Sequence, residues 1–219
     1  MNQASIFTLE KSGNSYKDFD TVPKDLYVDT SAWLAAYSSN SVYNPIRNFM
    51  GECIDKGATL YHSEVVLSEL IHVNEKAFYD KYAEKYIKQA KSQNGTINQK
   101  KLRELIRENH PEVVNDIAQS QTNLLHIVQF SSEMLEYEGN IKTIEEIIKI
   151  REASGNMLGV NDAKHVFIAR TYGINSFLTA DGDFFSLDND NIYVPVNEKY
   201  SKAKIGRANC FLEFDSTKY

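Results

Sequence analysis

Cysteine is scarce: the 219 residues include only Cys53 and Cys210. Two are too few for a disulfide framework, and they lack metal-ligand spacing. No apolar run approaches the roughly 20 residues needed to cross a bilayer, so no membrane-embedded segment is expected. The opening MNQASIFTLEKSGNSYK has no apolar stretch of the kind a secretory signal carries, which with the low cysteine count points to a reducing, cytoplasmic setting. Positive charge is not in excess either. Lys and Arg number 24 against 30 Asp and Glu, a net −6 that argues against nucleic-acid binding over the whole surface. No internal repeat is visible. What is present is a 42% hydrophobic content, enough for a real core in one sizeable domain with an elaboration.

An acidic total leaves room for nucleic acid if carboxylates gathered for a metal are balanced by basic residues elsewhere. Lys81, Lys85, Lys88, Lys91, Lys100, Lys101, Arg103 and Arg107 form such a local enrichment. They fall in a stretch from about residue 74 to 123 where Lys, Glu, Gln and Tyr recur at helical spacing. Only Ser92-Gln93-Asn94-Gly95 and Pro111 interrupt it, and it is expected to be a helical insertion.

Around this stretch, strands and helices alternate. Asp25 to Asp29 predicts a strand, with Thr30 and Ser31 capping a helix through Trp33, Leu34, Ala36 and Tyr37. A helix from Pro45 to Lys56 ends at Gly57, and a second strand follows over Ala58 to His62. Ser63 caps a helix with Val66, Leu67, Leu70, Ile71 and Val73 on its apolar face. Leu124 to Phe130 is expected as a third strand and Thr143 to Ala153 as a helix. A helix from Asn161 to Tyr172, a strand from Ile174 to Leu178 and a last strand from Asn191 to Val194 complete the order. The strands show little period-two alternation, so the expectation is an α/β domain whose parallel sheet is covered on both faces. Ligands of such sheets sit beyond the carboxyl ends of the strands, where Asp29 and Asp181 fall.

Four places in the chain put acids where local structure would favour something else. Each has a structural explanation: Asp29 caps a helix, Asp162 lies in a first helical turn, and Asp183 shapes a turn. Glu69 resists it, because an ionised carboxylate on an apolar helix face is costly unless paired. Taken together, oxygen ligands at the carboxyl end of a parallel sheet suit a hard cation such as Mg²⁺ or Mn²⁺.

The segments LYVDTSAWLAAY, HSEVVLSELIHV, VNDAKHVFIAR and FLTADGDFF resemble, in sequence and order, the four acidic motifs of the PIN-domain nucleases, VapC-type toxins among them. The resemblance covers residues 24–196 apart from the insertion. It implies a PIN-like three-layer α/β/α domain with a central parallel sheet over residues 24–219, a helical insertion at about 74–123, and an N-terminal extension over residues 1–23. The site it implies consists of Asp29, Glu69, Asp162 and Asp181, with Asp183 as a further metal ligand and Thr30 and Thr179 as supporting hydroxyls. Glu64 also lies in the second motif, but its "SEL" context favours Glu69. The activity implied is metal-dependent hydrolysis of RNA phosphodiesters, leaving a 5′-phosphate and a 3′-hydroxyl with one or two Mg²⁺ or Mn²⁺ ions. For a toxin, the resemblance also implies a small antitoxin protein docking near Trp33 and Tyr37, with a homodimer left open.

Other readings fare less well. A haloacid-dehalogenase-type phosphatase needs a second aspartate where Ser31 stands. DGDFFSLDNDN fails the EF-hand pattern and is expected to be a solvated acidic loop. An RNA-processing nuclease without an antitoxin and a non-catalytic PIN-like scaffold for RNA or protein remain as alternatives. His165, three residues after Asp162, and His72, three after Glu69, are either buried, hydrogen-bonded histidines or groups touching substrate phosphate. His62, His110 and His126 show no metal-ligand spacing.

Overall fold

The computed structural model describes residues 5–9, 11–12, 15–16, 22–37, 44–92, 94–188 and 190–195. Two compact units emerge. The first combines residues 1–66 with 131–219, and the second is Leu67–Phe130.

In the first unit, the edge strand β1 (Ser5–Leu9) is followed by the short antiparallel pair β2 (Lys11–Ser12) and β3 (Ser15–Tyr16). Next come β4 (Asp25–Val28), α1 (Thr30–Tyr37), α2 (Asn44–Asp55) and β5 (Thr59–Ser63). α3 (Glu64–Ala90) starts here and runs on into the second unit, which adds α4 (Gln99–Asn109) and α5 (Glu112–Ser131). The chain then forms β6 (Glu133–Leu135), α6 (Ile141–Ala153), α7 (Val160–Thr171), β7 (Ser176–Leu178), a 3₁₀ turn (Gly182–Ser186) and β8 (Asn191–Pro195).

Six strands form one sheet in the order β1-β8-β7-β4-β5-β6, and every pairing in it is parallel. With its flanking helices this is a three-layer α/β fold. From β4 the chain first builds outward through β5 and β6, then crosses to β7 on the other side. The order therefore reverses between β4 and β7, and in parallel sheets ligands bind beyond the strands' carboxyl ends at such a reversal. Both strands are buried on both faces: Leu26, Tyr27, Val28, Phe177 and Leu178 are fully inaccessible. That is why they read as short apolar runs without alternation. α2 places Ile46, Phe49, Met50 and Cys53 on one buried stripe at helical spacing. Each such large apolar side chain contributes roughly 1.5–3 kcal/mol by leaving water. Burial also pushes the Cys53 thiol up to about 12, which makes it a packing residue rather than a nucleophile.

Two stretches differ from the sequence expectation. Part of the segment set apart as an N-terminal extension is the sheet's edge strand: Leu9 is buried, and Phe7 stacks on Tyr193 of β8 with ring centroids 4.8 Å apart. Leu124 to Phe130 is not a strand but the last turns of α5. Val113, Ile117, Leu124 and Val128 are its buried positions, a helical period that a seven-residue window rich in β-formers conceals. The sheet strand is the three-residue β6 just beyond it.

The second unit has its own core of Tyr79, Ala90, Leu102, Ile106, Val113 and Ile117. Its first two helices are joined by a turn in which Lys91 and Ile97 form a bridge and Gly95 takes a φ of 82°, a conformation that favours glycine. Asn98 caps α4 by accepting from the Lys101 N–H at 3.1 Å.

Candidate active site

Asp29 stands one residue past β4 and is 4% exposed. Its N–H extends the sheet ladder to the Leu178 carbonyl at 2.9 Å, and its own carbonyl accepts from the Ala32 and Trp33 N–H groups, both at 3.1 Å, starting α1. The backbone of this residue is thus held by strand and helix at once. Its carboxylate Oδ2 accepts the Ser31 hydroxyl at 2.6 Å and the Thr179 hydroxyl at 3.0 Å. These hydroxyls also accept in return: Ser31 Oγ from the Ala180 N–H and Thr179 Oγ1 from the Asp181 N–H, each at 2.9 Å. Two side chains therefore stitch the segment after β4 to the segment after β7 through one carboxylate oxygen.

Asp181 follows directly. Its Oδ1 accepts the Asp183 N–H at 2.9 Å and caps the 3₁₀ turn, so the Asp-Gly is a turn opening a short helix rather than a hairpin. Asp183 lies half-buried in that turn, its carbonyl accepting the Ser186 hydroxyl at 2.7 Å. Asp162, the third residue of α7, reaches back to accept the Gly159 N–H at 2.9 Å. A Cβ at position 159 would stand 2.7 Å from that carboxylate, so glycine there is what lets Asp162 fold back. Burial above all raises the Asp162 pKa; the Gly159 N–H opposes this, the charges of Asp29 and Asp181 raise it further, and His165 opposes them. Asp29, Asp162 and Asp181, distant in sequence, thus share one electrostatic field.

His165 is fully buried. Its Nε2 lies 3.7 Å from Asp29 Oδ1, and its Nδ1 is 2.8 Å from the Tyr27 hydroxyl, which shares a second hydrogen bond with Ser63 Oγ at 2.7 Å. It backs Asp29 from inside the protein and is not placed to touch a phosphate. His72 is exposed on α3. His62 is buried against Ser132 at 2.9 Å.

Thr30 is buried as the first residue of α1. Ser31 and Thr179 each supply a hydroxyl that holds Asp29. Ser31 does more than cap a helix: a hydroxyl two residues after an aspartate is a signal for such a local bond. Glu69 belongs to the second unit, half-buried on α3, while Glu64 is exposed. Trp33 is fully buried and offers no docking surface; Tyr37, its stacking partner, is 41% exposed. The acidic stretch after Asp183 is not wholly solvated either, because Asp190 is buried and paired with Arg170.

Among the described residues, no three His, Cys, Asp or Glu side chains are grouped closely enough to hold one ion. Asp29, Asp162 and Asp181 each turn an oxygen to a local donor, as described above. By donor type they nonetheless fit a hard divalent ion, and the charges of Asp29 and Asp181 that act on Asp162 favour positive charge there.

The family model described as "PIN domain" matches residues 26–190, well over half of the chain and spanning all three acids. The chain belongs to the PIN domain family. No curated protein matches it. Among solved structures, this PIN domain chain is similar to one described as the crystal structure of VapBC2 from Rickettsia felis bound to a DNA fragment from their promoter. The TM-score is 0.45 at 16% identity, over 79% of this chain and 99% of that one.

Ser31 offers a direct probe of the stitched carboxylate. Ser31→Ala removes a donor to a buried carboxylate and leaves the Ala180 N–H without its acceptor, an expected loss of about 1.5–3 kcal/mol in thermal or denaturant unfolding. Nuclease turnover is expected to fall by about 10–100-fold, as for loss of a residue that orients a ligand.

Proposed function

We propose that this PIN domain protein is a metal-dependent endoribonuclease acting as the toxin of a toxin–antitoxin pair. The observation that carries the nuclease reading is the shared field of Asp29, Asp162 and Asp181 at the switch point of the sheet, where the charges acting on Asp162 are those of two carboxylates and one histidine. Carboxylates alone repel a phosphodiester, so such a grouping suits RNA chemistry only with a cation between acid and phosphate.

Asp29, Asp162 and Asp181 would hold Mg²⁺ or Mn²⁺, with Glu69 and Asp183 entering on their motifs alone. A bound divalent ion supplies neutralisation of phosphate charge and activation of water for in-line attack. The chain's own residues do the positioning. Ser31 and Thr179 fix Asp29 Oδ2, leaving Oδ1 on the His165 side. The Tyr27 and Ser63 hydrogen bonds keep that histidine in place. The Asp183 N–H and the Gly159 N–H set the approach of Asp181 and Asp162. No serine, cysteine or histidine nucleophile is required.

The toxin assignment rests on the likeness of the four motifs to VapC-type toxins. A small partner protein is then expected to silence the enzyme by presenting Arg or Lys to the acidic pocket, where charge-assisted hydrogen bonds would compete with the metal. The primary test is incubation of purified chain with RNA. Cleavage to 5′-phosphate and 3′-hydroxyl ends with Mg²⁺ or Mn²⁺, abolished by a chelator, is expected. Binding of RNA without any cleavage under these conditions would instead support the non-catalytic scaffold.

A further inference from the structure

The basic residues of the second unit fall into two groups. Arg103 and Arg107 are engaged within the unit: their guanidinium groups lie 5.3 and 5.4 Å from the Tyr79 ring centroid, and they approach Glu75 at 3.6 and 3.9 Å. Lys76 is paired with Asp80 at 2.8 Å. Lys85, Lys88, Lys91 and Lys101 differ, being exposed and without an ion pair among the described residues. Lys100 reaches Glu104 only at 4.0 Å. All five lie where α3 ends, the turn passes and α4 begins. Residues 81–101 hold six lysines against a single acid, Glu84, an excess of five positive charges in a chain of net −6.

Helix stability accounts for only part of this. Lys88, in the last turn of α3, favours the helix dipole, but Lys100 and Lys101 occupy the first turn of α4, where positive charge is unfavourable and which holds no acid. Their placement opposes local stability and concentrates like charge at one end of the hairpin. The nearby rings are not presented to solvent for stacking: Tyr82 and Tyr86 are half-buried and packed against the unit's core, with Tyr82 4.4 Å from the His110 ring. The surface therefore offers charge and no base-stacking platform.

We propose that this lysine-rich end of the second unit is a contact surface for the phosphate backbone of single-stranded RNA, sequence-independent and salt-sensitive. RNA is chosen because the inference rests on the ribonuclease reading. The test uses the full chain carrying Asp29→Asn, so that RNA is not cut, and a labelled single-stranded RNA oligonucleotide titrated over a range of salt. Lys85, Lys88, Lys91 and Lys101 are changed together to Gln, with circular dichroism checking the fold. If all four meet phosphates, the slope of log affinity against log salt is expected to fall by about 2.8, at about 0.7 per contact. Affinity at low salt is expected to drop at least about tenfold. A charge-matched variant with Lys24, Lys56, Lys142 and Lys149 changed to Gln should stay close to the parent. An unchanged slope in the first variant, an equal loss in the second, or tighter binding of duplex DNA than of RNA would overturn the proposal. Because binding is read without cleavage, a lysine-dependent slope in the Asp29→Asn background together with a chain bearing Asp29 that never cuts RNA defeats only the nuclease reading. A chain bearing Asp29 that cuts RNA, together with an unchanged slope in the lysine variant, defeats only this one.

Discussion

Asp29→Asn is expected to reduce metal-dependent RNA cleavage on the order of 10⁴-fold, the scale seen when one member of a catalytic group is lost. The fold should remain, because an Asn side-chain oxygen can still accept the Ser31 and Thr179 hydroxyls that hold Asp29. What disappears is a negative charge, and with it the attraction that Asp29 would exert on a divalent ion. The same variant separates toxin from processing enzyme in cells. Induced alone, the parent chain should arrest growth and the Asp29→Asn chain should not. Normal growth of both cultures with soluble protein in each would remove the toxin assignment and favour an RNA-processing role.

Asp162→Asn is expected to abolish cleavage to a similar degree while making the metal-free protein more stable. Burial first, and then the charges of Asp29 and Asp181, hold the Asp162 carboxyl above its ordinary range against the pull of the Gly159 N–H and His165. A folded-state pKa above the unfolded one means that ionisation costs the folded state. The contribution of this group is most favourable below the unfolded value, about 4, and is lost as pH rises through the folded value. Asn carries no such charge. With chelator present, the variant should melt above the parent at neutral pH, by ~2–4 °C for each kcal/mol of relieved repulsion. The gap should close as pH falls towards 4. Added Mg²⁺ should then raise the parent's midpoint more than the variant's, since a ligand bound only by the folded state stabilises it. A variant that melts well below the parent in chelator would mark Asp162 as a structural cap.

Much of this organisation was legible in the sequence because its signals are local. The apolar runs of β4 and β7, the glycine stop after α2, the 3.6-residue spacing of Ile46, Phe49 and Cys53, and an aspartate just past a strand are each set by a few neighbouring residues. So were the turn at Asp181-Gly182 and the helical character of residues 74–123. Tertiary structure decided the rest. Ser31 and Thr179 meet on one oxygen of Asp29 because β4 and β7, far apart in the chain, are sheet neighbours. His165 touches Tyr27 for a related reason, α7 delivering it to β4 across 138 positions of sequence. β1 became a strand through pairing with β8 and through the stack of Phe7 on Tyr193, since a five-residue edge strand carries too little local preference to announce itself. The last turns of α5 took helix from the register of the buried positions before them, overriding a β-rich composition. The exposed lysines and the engaged arginines of the second unit look alike in sequence, and only the position of Tyr79 and Glu75 beside Arg103 and Arg107 tells them apart. Side-chain chemistry can be read along the chain, but which charges end as neighbours depends on strand order and helix packing, which bring together residues that no local rule connects.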